Sequence, residues 1–430
     1  MRQPISHVQR AESLVVARAS ASALLALCLT ACGTQVRCEP GLCPSGTTCE
    51  PDTGRCVALD SATDGAGTRL FGAFSVVQLP GLRQGFVGHA PEHQSLAWVE
   101  HDNKQPLTMF IAGPAAESKQ PAAGEISAAT AAPDGHVHVA FVRVKDGTLW
   151  YAHRKQVSWL VEQVKAAPTG TVGDRVDIAL WQGRPAIVYR DLSEHRLHVL
   201  LRAADGQWMA EKVPAPASLA GKNPDLGGAL SISPWGDVVF VITYDATEGD
   251  LVLAVRKDGI WSSTRQAAAP SEGGVDGDIG SPSAVARSLV GDLVIAYRDR
   301  DRNQVRLLRT ESGKSVDRLV SDGAYQSGQN LQQRRHLVGT ALSVVTLASG
   351  RVAIAYLNAS QMRIHVAIQG GDGGFSIVDV PHQGRPQAWP RLLSQVDGTL
   401  LVAYLELDPP PMPPAGRVLT WTLPVAAVQP

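Results

Sequence analysis

Three groups of residues in this 430-residue chain carry side chains that could do chemistry. Asp299, Asp301 and Asn303 sit in "RDRDRN" with the D-x-D-x-N spacing that can place oxygens around Ca²⁺. The glycine and bidentate glutamate that complete such a loop do not follow. Asp recurs at the corresponding turn elsewhere, at Asp191 and Asp245, where hairpin geometry accounts for it. The stretch is therefore read as a turn and no cofactor is expected; Ca²⁺ is the ion that the spacing would suit. His136 and His138 alternate along a strand-like run and so face one side, as two zinc ligands would. His153 can be named as a third ligand, but nothing in the pattern joins it to them, and all three are read as strand residues. His195 and His198 flank a turn and are read the same way. The third group is paired charge. Arg190-Asp191 and Arg298-Asp299 each follow an apolar run, and these four residues are the binding candidates.

Such residues need a scaffold, and composition limits what it can be. A formal net charge of −1 gives no basic surface for nucleic acid. With 41 Gly and 28 Pro the chain has many turns and few long helices. All six cysteines lie within the first 56 residues, so the body must stand on its hydrophobic core alone.

The N-terminus reads as an address. Arg2, Arg10 and Arg18 precede the uncharged run "ASASALLALCLTAC", which is too short to span a bilayer as a helix and fits a secretory signal, residues 1–31. Its last four residues, Leu29-Thr30-Ala31-Cys32, resemble the bacterial lipobox. That resemblance implies that Cys32 becomes the first residue of the mature protein and carries lipid. With Gly33 rather than Asp behind it, it also implies an exported outer-membrane lipoprotein. Several acyl chains would hold it firmly, at about 0.8 kcal/mol per buried CH₂.

Four cysteines follow within 19 residues, Cys38, Cys43, Cys49 and Cys56. Export permits disulfides, and four cysteines among Gly, Pro and Thr read as two bridges with three possible pairings. A zinc knot would want paired C-x2-4-C spacings, which only Cys38 and Cys43 approach. The patch, residues 32–57, resembles the small EGF-like modules of bacterial surface lipoproteins. A polar linker, 58–70, follows it.

The body repeats a phrase: a Gly or Asp turn, four to six apolar residues, then an aromatic. Its copies end at Trp98, Phe141, Tyr189, Tyr244, Tyr297, Tyr356 and Tyr404. Self-similarity at 40–60 residues signals a propeller or a solenoid. About ten residues after each aromatic comes a second strand-like phrase, such as "LHVLLR" or "RIHVAI". A third, such as "WMAEKV" or "FSIVDV", and a fourth, such as "VDIALW" or "ALSVVT", complete a four-stranded unit without helix. Four strands repeated radially make a propeller blade. With strands lettered a to d from the axis outward, seven b and seven c phrases predict an all-β, seven-bladed propeller over 71–424 and a short tail, 425–430. The body resembles bacterial surface propellers with turn–apolar–aromatic–Asp repeats, and that resemblance implies a fold, not an activity.

One phrase appears twice. "FSVVQLP", Phe74 to Pro80, copies "FSIVDVP", Phe375 to Pro381. The last blade has no d phrase of its own, so Phe74–Leu79 is expected to pair with Val418–Leu423 and close the ring.

Sialidase-type glycosidases use arginines with acids beside the sugar. Their S-x-D-x-G-x-T-W boxes are missing here; "SISPWGD", Ser231 to Asp237, is a poor match. No G-x-S-x-G, P-loop or dinucleotide fingerprint occurs. The leading expectation is an envelope-anchored binding or scaffolding propeller with a protein or glycan partner and the membrane reached through its lipid. The alternative is a carbohydrate-active hydrolase or lyase on the same scaffold. If Cys32 carries the anchor, Cys32→Ser moves the protein from the membrane pellet to the soluble fraction; a variant that still sediments fully with membranes refutes lipid anchoring.

Overall fold

The computed structural model describes residues 47–50, 55–58, 70–90, 95–102, 105–110, 127–143, 146–155, 158–167, 171–266, 278–311, 314–327, 332–395, 397–407 and 415–425. The leader, Cys32, Cys38, Cys43, most of the linker and residues 408–414 lie outside them. The chain divides into two units, Met1–Ser61 and Ala62–Pro430. In the first, strands Thr47–Glu50 and Arg55–Ala58 form an antiparallel pair with Cys49 opposite Cys56.

The second unit is a seven-bladed β-propeller of four-stranded antiparallel blades, without α-helix among the described residues. The blades cover 70–110, 127–163, 172–212, 226–266, 279–321, 338–379 and 387–424. Each begins at the axis and steps outward strand by strand.

The apolar phrases form strands because they are buried on both faces. In blade 3, strand b (Arg184–Asp191) sends Ile187 and Tyr189 toward blade 2, and Ala186 and Val188 toward blade 4. A strand between two neighbours cannot alternate apolar and polar, so it reads as a continuous apolar run. Seven hydrophobic clusters result, each between one consecutive pair of blades. The cluster between blades 7 and 1 joins Leu70, Phe74 and Phe86 to Ala388, Ala403 and Leu405. The ring is thus closed by side-chain packing.

The closing register differs from the expected one. The chain enters the last blade one residue before the expected start, with Leu70 opposite Gly416 and Phe71 opposite Ala415 in strand c (Ala415–Pro424). It then crosses to the axis. Ser75 pairs with Val87 and Gln78 with Gln84, so "FSVVQ" is the inner strand of blade 1 and not the outer strand of blade 7. Burial separates the two copies of the phrase. Phe74, Val77 and Leu79 are buried, as an axial strand requires, whereas Ile377 in the outer strand Phe375–Asp379 is 46% exposed.

Blade 1 is shifted by one strand for the same reason. Its strand b is Gln84–Ala90, and the run ending at Trp98 is strand c, Ser95–Asp102. The position held by Tyr189 in blade 3 is Val87 here, and Trp98 lies opposite it. A methyl at Gly85 would come within 1.9 Å of the Trp98 ring, so the indole fills the volume that Gly85 leaves empty. The aromatic has moved from strand b to strand c, and the glycine makes room for it.

Leu70 lies over three hundred residues from its packing partners Ala388, Ala403 and Leu405, and it is fully buried. Leu70→Ala should therefore cost about 3 kcal/mol, the usual loss for a buried leucine, in urea unfolding of the whole domain. A variant that unfolds like the parent would show that the ring does not depend on this contact.

Candidate binding face

Strand direction sorts the connections onto two ends of the propeller. In an antiparallel a–b–c–d blade, the b–c turns and the links from d to the next a share one end; the a–b and c–d turns share the other. Among the described residues the a–b and c–d end is plain, built from tight turns such as Gln182-Gly183, Gly236-Asp237 and Asp258-Gly259. The b–c end carries the elaboration. The link 213–225 contains a 3-10 turn at Ala217–Leu219, and the link from blade 5 to blade 6 contains an added hairpin, Ala324–Ser327 with Gln332–Arg335.

All four binding candidates and the D-x-D-x-N residues lie on this elaborated end, in b–c turns of one design. Asp191, Asp245, Asp299 and Asn358 end their b strands and are buried. Each accepts a backbone N–H from the turn it precedes: Ser193 and Glu194, Thr247, Arg302, and Gln361. These are Asx-type turns, which short acceptor side chains form with the backbone just ahead. Burial alone would raise the Asp191 carboxyl. Hydrogen bonds from the Ser193 hydroxyl, the Glu194 N–H, the Thr171 hydroxyl and the Ser193 N–H outweigh it and hold the group below its usual value.

The fourth residue of each turn is left-handed: His195 at φ 54°, Gly249 at 77°, Asn303 at 54° and Met362 at 52°. Asn visits that region more easily than most side chains. The "RDRDRN" spacing therefore has a turn explanation at both ends. Its oxygens point to different partners. Asp299 binds Arg302 at 2.6 Å, Asp301 accepts the Asp278 N–H at 3.0 Å, and the Asn303 Oδ1 accepts the Val338 N–H at 3.3 Å. Among the described residues no group of three His, Cys, Asp or Glu side chains is placed to hold a metal.

Arg190 and Arg298 play a different part. Each stands one residue before the turn carboxylate and reaches across to the next blade. Arg190 Nη2 donates to both oxygens of Asp225, at 2.7 and 2.9 Å. His195 also approaches Asp225, at 3.2 Å. In blade 4 the same position is Tyr244, whose hydroxyl donates to Asp278 at 2.9 Å, and Arg300 pairs with the same carboxylate at 2.8 Å. Arg298 is half-buried, and burial first, then the charge of Arg300, lowers its affinity for the proton. These clasps between blades, with Asp225 and Asp278 as partners, are invisible to a search for sequence motifs. Only alignment of the repeats exposes them: in both clasps the partner is the residue before the next inner strand.

His136, His138 and His153 do come together, although the sequence pattern gave no reason to join them. His138 stacks on His153 with centroids 4.7 Å apart and rings 7° from parallel, and His136 meets His153 edge-on at 5.3 Å. His138 lies opposite His153 in the b–c pairing. Stacked rings turn their nitrogens alongside one another, not toward one point, which does not suit a shared tetrahedral ion. The His138 Nδ1 is 2.6 Å from the Tyr151 hydroxyl. His198 pairs with Glu194 at 3.1 Å on the other end of the next blade.

Apolar side chains are exposed at the a–b turns of the plain end. Trp235, 47% exposed, and Val290, 78% exposed, occupy a–b turns of adjacent blades, with Leu289 beside Val290. A methyl at Gly291 would come within 2.6 Å of the Trp235 indole nitrogen, so the two turns touch.

No family model and no curated protein matches this chain. Solved structures do. Puromycin hydrolase superposes with a TM-score of 0.52 at 12% identity, over 85% of this chain and 53% of its own, so this chain spans about half that enzyme. SapL1 lectin in complex with α-methyl fucoside gives 0.47 at 12% identity over 73% of this chain and 97% of its own. The fucose-specific lectin from Aleuria aurantia gives 0.46 at 12% identity over 75% and 100%. The first of these bears on the fold, which is that of the β-propellers; at their lower scores the lectins add no argument.

Burial, then the charges of His153 and His136, push the His138 imidazole down to about 4 from the ordinary 6.5, with Arg202 acting the same way and Asp134 against. The unfolded ring takes its proton near pH 6.5 and the folded one near pH 4, so below 6.5 the unfolded chain holds more protons. Stability is full above pH 6.5 and falls by up to about 3 kcal/mol as the pH drops to 4. Urea unfolding at pH 7.5 and 4.5 should show a smaller loss for His138→Gln than for the parent. Equal losses would mean that this ring does not govern acid stability.

Proposed function

We propose that this protein is a binding module of the cell envelope whose b–c end recognises glycans. The observation that carries the reading is one-sided elaboration: the long links and the added hairpin leave from the end where the clasps repeat, while the described turns at the other end are tight. Binding residues concentrate on loops that a rigid scaffold positions. Here Arg190, Asp225 and Asp278 are part-exposed, Arg300 is exposed and Tyr244 is buried beneath them; they are held by one another, so their hydrogen-bonding directions are fixed before a ligand arrives. Repetition around a ring also suits weak, multivalent contact with a polymer.

Catalysis is the weaker reading. Each Asp of the b–c turns spends its Oδ1 on backbone N–H groups, and Arg190 spends its Nη2 on Asp225. A general acid needs a proton that it can give to a substrate.

Cys32 would tether the module to the outer membrane, with the four-cysteine segment as a spacer. A second reading rests on Trp235, Leu289 and Val290, an exposed apolar group of the kind that protein contacts use. Full-length protein in detergent, applied to a glycan array with product analysis of retained saccharides, should show binding without turnover. Saccharide cleavage would establish the enzyme. An empty array beside a captured envelope protein, lost in Trp235→Ala, would move the function to the plain end.

A further inference from the structure

The junction between blades 5 and 6 departs from the pattern of the two junctions before it. The clasp between blades 3 and 4 joins Arg190 to Asp225, and the clasp between blades 4 and 5 joins Tyr244 to Asp278. The acidic partner directly precedes the inner strand, at Leu226 and Ile279. Between blades 5 and 6 the arginine is present, as Arg298, but the residue preceding the inner strand at Val338 is Leu337.

The arginine is nonetheless placed as its counterpart is. Arg190 lies against Gly227, where a methyl would come within 2.7 Å of its Cγ; Arg298 lies against Gly339, where a methyl would come within 3.4 Å of its Cγ. Both glycines occupy the bulge of the following inner strand with positive φ, 111° and 77°. What differs is the partner. The Arg298 Nη2 reaches only the Asn303 amide oxygen, at 3.5 Å, which is the outer limit of a hydrogen bond. The nearby carboxylates are committed: Asp299 to Arg302, and Asp278 to Arg300 and Tyr244.

The added hairpin brings a second guanidinium. Arg335 is exposed and donates Nη1 to the Arg302 carbonyl. Among the described residues neither Arg298 nor Arg335 has a carboxylate partner. Neutral groups complete the surroundings. Leu337 is exposed, and its N–H donates to Ser360, an exposed hydroxyl that keeps its own hydrogen to donate. Gln361 beside it is exposed, and its amide oxygen is taken by Asn358.

Building on the glycan-binding reading, we propose that this junction binds a carboxylate-bearing saccharide of the uronic acid type, its carboxylate taking the place that Asp225 fills between blades 3 and 4. Arg298 and Arg335 hold the carboxylate, Leu337 meets the C–H face of the ring, and Ser360 and Gln361 meet its hydroxyls. A peptide carboxylate would use the guanidinium groups but would leave the paired hydroxyl and amide without matching partners.

The repeat itself supplies the decisive variant. Leu337→Asp rebuilds the clasp of the junctions between blades 3 and 4 and between blades 4 and 5 and fills the site from within, without opening a cavity, since Leu337 is exposed. The full-length protein in detergent is titrated calorimetrically with a galacturonate oligomer and with the same oligomer after carboxyl reduction. The parent should bind the acidic oligomer at least about tenfold more tightly than the reduced one, as loss of a charge-assisted pair implies. Leu337→Asp should lose that preference while melting at or above the parent temperature. Equal binding of both oligomers, or unchanged binding in Leu337→Asp, overturns the proposal, as does a glutamate peptide that binds more tightly than the galacturonate. Neutral saccharides bound equally by parent and variant would leave the glycan reading standing and remove only this junction; a protein that binds no saccharide removes both.

Discussion

The fold depends on apolar packing between neighbouring blades. Each middle strand gives one set of side chains to the blade before it and the other set to the blade after it, as Ile187 and Val188 do. A blade alone would expose both faces, so no blade can be stable by itself, and every blade needs two neighbours. The seventh contact is the demanding one, because its two sides lie at opposite ends of the domain sequence. Leu70 and Phe74 must find Ala403 and Leu405 before the other six contacts gain their full value. Such a closure is non-local, and non-local contacts carry a loop-closure cost in entropy.

The inner strands add polar stitches to this packing. Asp177 accepts the N–H of Ile178 on its own strand and of Ile232 on the next, each at 2.9 Å. Ser343 accepts the Leu392 N–H, and Arg391 donates to the Phe74 carbonyl. Burial raises the Asp177 carboxyl, against those two backbone donors and Ser231. The axial strands thus bond one another through side chains where no backbone ladder can form between separate sheets, which reduces the number of unpaired groups along the axis.

The parts of this architecture that the sequence makes legible are those where burial writes a pattern. Strands b and c are enclosed on both sides, so their apolar runs were enough to count seven blades. Outer strands are half exposed and follow no rule so strict; in blade 4 that strand is Ile260–Gln266, "IWSSTRQ", which shares little with "FSIVD". Blade 1 defeated the pattern because Trp98 fills from strand c the volume that strand b fills elsewhere, and volume is what the core selects. The phrase at Phe74 defeated it because an axial strand and an outer strand can share one apolar spelling; only its neighbours tell them apart. The added hairpin was illegible, since "AYQS" and "QQRR" carry no apolar alternation. Of the site residues, Arg190 and Arg298 stood out through their charge after an apolar run, but their partners did not. Asp225, Asp278 and Leu337 are defined by a place in the repeat, and that place appears only when the inner strands are aligned.

This separation between what is fixed and what is free explains how one junction can diverge. The stabilising contacts of a blade lie in the middle strands, well inside the ring, and the clasp at the b–c end is part-exposed, where an ion pair contributes about 1 kcal/mol or less. Exchanging an acidic partner for Leu337 therefore leaves the interblade core of Val305, Val338 and Val352 intact. What the exchange changes is the charge left at the surface, since a half-buried guanidinium whose counterpart Arg190 meets an acid now lacks one. A repeat protein can acquire a binding position in this way, by omission at one copy, while two other copies, with Asp225 and Asp278, show what the missing partner was. The hairpin follows the same logic: it extends a link that bears no core residue, beside the junction where the partner is missing, so elaboration and vacancy coincide at one point of the ring without a cost to its closure.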